Sequence, residues 1–182
     1  MIIPRKNFGF FRRHYDVEPD RPQTRPEMAP VDWLLETIAL ISLLFSLGFA
    51  IYHYKSLPAT IATHFNASGK ADDLGGKESF LVLSAVGIVF YAMLTLINLI
   101  PYRRRYMVRI TPQNAMRQYL LSMRLTRTLK VILLWIFWYI NFSTVRVSRG
   151  QADGLGAWFL PAVLSAVFIP VIVYAIEAFR NK

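Results

Sequence analysis

The chain has 182 residues, 54% of them hydrophobic and 14% aromatic, with no cysteine and a formal charge of +10. The missing cysteines exclude disulfides, thiolate metal sites and cysteine nucleophiles. The surplus charge does not point to nucleic acid: lysine and arginine crowd between four stretches almost free of charge, as in a lipid-spanning chain.

Residues 1–30 form a basic tail in which Arg5, Lys6, Arg12 and Arg13 stand among Phe8, Phe10 and Phe11. Its prolines argue against a folded unit. A disordered or interfacial tail attracted to anionic lipid is expected, with a docking peptide for a cytoplasmic partner as the alternative. With no early apolar core, no cleavable signal peptide is expected, and the first span should serve as an uncleaved anchor.

Span one is predicted from Val31 to Tyr52, enough residues at ~1.5 Å each to cross a ~30 Å hydrocarbon core. Asp32 and Glu36 fall in its first turns, near the interface and the positive end of the helix, where carboxylates are tolerated. Ser42, Ser46 and Ala50 form a small-residue stripe suited to close helix packing. Span two, Phe80–Ile100, carries no charge and closes at Pro101, with Arg103, Arg104 and Arg105 at its inner edge.

Thr111-Pro112 reads as a helix cap followed by proline at the first helical position. Met116, Tyr119, Leu120 and Met123 then recur at helical spacing, with Arg117, Arg124 and Arg127 interspersed. This is an amphipathic basic helix, residues 101–128 including its lead-in, expected to run unbroken into span three, Leu129–Val145. Lys130 is expected to snorkel to the surface. Span four, Ala157–Phe179, completes a hairpin over residues 129–182, and Pro170 is expected to kink it.

Of the 21 lysines and arginines, sixteen fall on one side of this topology and five on the other. The positive-inside rule therefore places both termini in the cytoplasm and the loop at 53–79 outside. The fold class is all-α, with four transmembrane helices and a structured extracytoplasmic loop or small β-hairpin between helices 1 and 2. Within that loop Ile61, Thr63 and Phe65 alternate with Ala62 and His64, and Asn66 to Gly69 is turn chemistry.

Leu57-Pro58, His64-Phe65-Asn66, Gly69, Asp72 or Asp73, and Lys77 resemble the signature of the SdpI-like bacterial membrane proteins, over residues 31–100. The segment Thr111–Tyr119 also looks like the linker of short four-span relatives. The resemblance implies a bacterial inner-membrane protein. Its best-known relatives protect a cell against a secreted peptide toxin and hold a repressor at the membrane.

His64, Phe65, Asn66, Asp72, Asp73 and Lys77 are therefore the candidate ligand-binding residues. Arg103, Arg104, Arg105, Arg117 and Arg124 are candidates for lipid or partner contact. One histidine beside two aspartates, without an HxxH or HxH pair, is too little for a metal site. No catalytic motif appears, and the inner part of each span reads as free of ionisable groups, so neither enzyme nor cofactor is expected. Recognition of an extracytoplasmic peptide or protein is the leading reading, with the bilayer and a membrane or extracytoplasmic protein as partners. The alternatives are a structural or assembly subunit, then a small transporter or channel.

Overall fold

A computed structural model describes residues 21–182. Four helices, α1 (Pro30–Tyr54), α2 (Glu78–Ile97), α3 (Ala115–Ser148) and α4 (Phe159–Arg180), are each long and apolar enough to cross a membrane. Strands β1 (Thr60–Phe65) and β2 (Ala71–Gly76) pair antiparallel between α1 and α2. The protein is a multi-pass membrane protein. Its surface agrees: Leu164, Phe168, Ile169 and Ile172 on α4 are all exposed, a band that lipid rather than water would cover.

The helices alternate in direction around α3, which packs against each of the other three and against β1. α1 begins at Pro30, and the carboxylate of Asp32 accepts the backbone N–H of Ala29 at 2.9 Å, satisfying a helix-end donor. α3 runs for 34 residues without a break, about 50 Å at ~1.5 Å per residue. It is therefore longer than a span, and its first turns pack at the C-terminal end of α4, where Gln118 donates to the Ala178 carbonyl at 2.9 Å. The expected continuity of the basic helix with span three is met. The cap is not at Thr111: helix α3 starts at Ala115 with Asn114 as its cap residue. Thr111 and Asn114 instead bond each other's backbone N–H through their side chains, closing a turn before the helix. α4 continues through Pro170.

Ser42, Ser46 and Ala50 are all buried. Beside them Phe45 and Phe49 meet Trp135, Trp138 and Phe142 in a ladder of rings with centroids 5.3–6.3 Å apart. Ala39, Leu43 and Leu134 form the packed centre, while Ala50, Leu57, Ile61, Phe80 and Val145 close the end beneath the hairpin.

The N-terminal tail is described only from Arg21, so the readings made of residues 1–20 lie outside the described residues. Residues 21–29 lie against α3. Tyr119 donates its hydroxyl to the Pro22 carbonyl at 2.9 Å and accepts from Arg21 Nε at 3.0 Å.

Candidate functional site

The hairpin carries His64, Phe65, Asn66, Asp72 and Asp73, and Lys77 follows it as the cap residue of α2. The hairpin turn is built by Asn66, whose side-chain oxygen accepts the N–H groups of Ser68 (3.0 Å) and Lys70 (3.1 Å). Gly69 follows at φ 78°, a conformation that side chains resist. The register shifts around His64, so the simple alternation expected from sequence fails. Ile61 and Ala62 are both buried, and Thr63 and His64 are both exposed. An irregular register turns the strand in a way that period-two patterning cannot anticipate.

His64 faces outward against Asp72, Nδ1 to Oδ1 2.5 Å, with 65% and 40% of their side chains exposed. Leu74 is 66% exposed on the neighbouring strand. Asp73 does not join the pair; its carboxylate accepts the N–H of Leu74 at 2.8 Å. Lys77 lies with its ammonium 5.0 Å from the centre of the Tyr54 ring, a cation–π contact at the foot of the hairpin. Phe65 lines a cavity of about 520 Å³ beneath the strands, together with Ile61, Phe80, Val86, Asn141 and Phe159. Among the described residues, no three histidine, cysteine or carboxylate side chains gather as a metal site would require.

The hairpin is fixed in place by backbone contacts to the α3–α4 loop. Leu155 N–H donates to the Gly69 carbonyl at 2.6 Å, and Ala71 N–H donates to the Asp153 carbonyl at 3.1 Å. The two chains approach so closely that a Cβ on Gly154 would collide with the Gly69 carbonyl oxygen.

The opposite, basic end holds what the sequence reading missed. Asp32 and Glu36 do not sit at an open interface, and Lys130 does not snorkel. Arg127 donates to Asp32 Oδ1 at 2.9 Å and to Glu36 Oε1 at 3.1 Å, while Lys130 pairs with Glu36 and donates to Thr95 at 2.9 Å. Asp32, Arg127 and Lys130 are all buried. Lys130 also lies 4.6 Å from the Tyr91 ring centre. Partners on α1 and α2 compensate these charges where they stand, leaving only Arg127 Nη2 of the cluster without a hydrogen bond, which removes the need to reach for the surface. The signal was present as spacing: carboxylates four apart on α1 face cations three apart on α3.

Two of the arginines proposed for lipid or partner contact turn inward to this end. Arg104 donates to Asn98 at 2.6 Å, Ser122 at 2.8 Å and Thr126 at 3.0 Å, and Arg124 pairs with Asp32 at 3.2 Å. Arg117 meets Glu177 at 3.8 Å, while Arg103 and Arg105 are exposed.

A family model described as Domain of unknown function (DUF1648) matches residues 41–88, from the middle of α1 through the hairpin into α2. No curated protein and no solved structure matches the chain.

Proposed function

We propose that this is a non-enzymatic recognition protein of the bacterial inner membrane, with both termini cytoplasmic and the hairpin outside. Its ligand is an extracytoplasmic peptide or protein, bound at the exposed face of the hairpin. The observation that carries the reading is the outward His64–Asp72 pair, with exposed Leu74, on a hairpin held rigid by backbone bonds to another loop. A fixed surface with one apolar side chain and one polar pair loses little entropy on binding. The lysine and arginine bias supports the orientation. The likeness of Leu57–Lys77 to SdpI-like proteins extends the reading to immunity or signalling.

A photo-crosslinking residue at Leu74 in the native membrane tests it. An exported peptide or protein is expected to be captured, and His64→Ala with Asp72→Asn should abolish capture while the protein still accumulates. Capture of this chain's own helices alone, or capture unaffected by those substitutions, would refute the reading.

One observation favours the structural or assembly-subunit reading instead. α4 buries only Ala178 and leaves a long apolar face for lipid or another protein. The small-residue stripe of α1 offers that reading nothing, because its residues are buried within this chain.

A further inference from the structure

Two cavities meet where α3, α4 and the hairpin turn converge. One, of about 630 Å³, runs between α3 and α4, walled by Ile132, Trp135, Ile136, Ala162, Val163 and Ala166. The other, of about 410 Å³, lies at the hairpin end and is lined by Lys70, Arg146 and Asp153. They share Tyr139, Leu155, Gly156 and Ala157 and so form one cleft, apolar along its length and charged at its mouth. Its size is that of a ligand site rather than a packing defect, since such sites run to roughly 300–1,000 Å³.

The lining common to the two compartments is firmly held. Tyr139 donates its hydroxyl to the Leu155 carbonyl at 2.9 Å, and its ring stacks on Phe159 with centroids 5.4 Å apart. The mouth carries an excess of positive charge, two cations against one carboxylate. Arg146 donates to the Gln151 carbonyl at 3.2 Å, and among the described residues neither it nor Lys70 forms an ion pair. Trp158, 84% exposed, lines the cleft beside this mouth. Exposed tryptophan marks the headgroup level of a bilayer, so the charged mouth lies at headgroup depth and the apolar run at acyl-chain depth.

We propose that this cleft binds one anionic phospholipid of the surrounding leaflet. Its phosphate sits at Lys70 and Arg146, and one acyl chain lies in the groove between α3 and α4. A single negative charge neutralises the excess at the mouth, which a zwitterionic lipid would not do. Lys70 belongs to the hairpin turn and Arg146 to α3, so the lipid would bridge the elements that the Gly69–Leu155 bond already joins. The inference does not depend on what the hairpin recognises.

Native mass spectrometry of the purified full chain in neutral detergent tests it, with dioleoylphosphatidylglycerol and dioleoylphosphatidylcholine offered in equal amounts. One phosphatidylglycerol should be retained in preference. Lys70→Gln with Arg146→Gln should lower that retention by roughly tenfold or more. Ala162→Trp, on the exposed groove wall, should lower it without changing the melting temperature. Arg180→Gln, a cation at the other end, should leave it unchanged. If the double variant does not purify, Lys70→Gln alone carries the same expectation in direction. Equal retention of phosphatidylcholine would overturn the proposal. So would unchanged retention in Ala162→Trp, which would reduce the binding to surface charge, or an equal loss in Arg180→Gln.

Discussion

Asp32 and Arg127 meet at 2.9 Å with both side chains buried, joining the first turns of α1 to the middle of the basic half of α3. Each has a further partner: Arg124 also reaches Asp32, and Arg127 also reaches Glu36, which in turn holds Lys130. Removing Arg127 takes a cation from two carboxylates at once, leaving buried Asp32 only the part-exposed Arg124 and Glu36 only Lys130, and that weakened compensation, more than the attraction of any one pair, sets the consequence.

Arg127→Leu is therefore expected to lower stability by ~2–3 kcal/mol, short of the cost of a fully orphaned buried charge because Arg124 and Lys130 remain, read as unfolding of the detergent-solubilised protein. Arg127→Leu combined with Asp32→Asn should recover part of the loss, because the under-compensated carboxylate is gone while the Ala29 N–H keeps an acceptor. Arg180→Ala removes the exposed partner of Glu177 at 3.2 Å and should cost only ~0–1 kcal/mol. Strictly additive effects of the two buried substitutions would show that they do not act as a pair.

The hairpin's fixed position makes a separate prediction. Gly154 lies so close to the Gly69 carbonyl that any Cβ must push the backbones apart. Gly154→Ala should break the Leu155-to-Gly69 and Ala71-to-Asp153 bonds, raising hydrogen exchange at both amides on the order of tenfold. Exchange around Arg127 should stay slow, because the ion cluster lies at the other end of the bundle. Gly48→Ala, where a Cβ meets nothing within 4 Å, is the matched control and should alter neither. Unchanged protection at Leu155 in Gly154→Ala would mean that the docking tolerates a wider gap.

These contacts show where sequence was a good guide and where it was not. The four spans and the turn at Asn66–Gly69 were legible because long charge-free runs and Asn/Gly chemistry are local signals. The buried ion cluster was not. Each charge taken singly, near the end of its span, is consistent with an interface, and only the packing of α1 on α3 brings opposite signs together. The burial of Ala62 and the exposure of Thr63 were also hidden, because they depend on a register shift between strands rather than on either strand's own pattern. The docking of the hairpin on the α3–α4 loop joins Gly69 to Gly154 and Leu155 across more than 80 positions, and glycine in a polar loop reads first as a turn.

The loop between α2 and α3 gives the pH dependence. Tyr106 donates to the Pro101 carbonyl at 3.0 Å, and its ring centre lies 5.6 Å from that of Tyr119. Burial pushes its phenol up to about 12, against the opposing pull of the Arg104 and Arg21 charges. In the unfolded chain a tyrosine ionises near ~10. The folded protein thus holds the neutral phenol where the unfolded chain has begun to lose its proton. The stabilisation is full below about pH 10 and is lost as pH rises through about 12. Tyr106→Phe should start less stable by ~0.5–1.5 kcal/mol, for the lost hydrogen bond. It should then fall less steeply than the unsubstituted protein above pH 10. The difference between the two melting profiles is the readout. Parallel profiles from pH 9 to about 12 would show that the Tyr106 proton is not held by the fold.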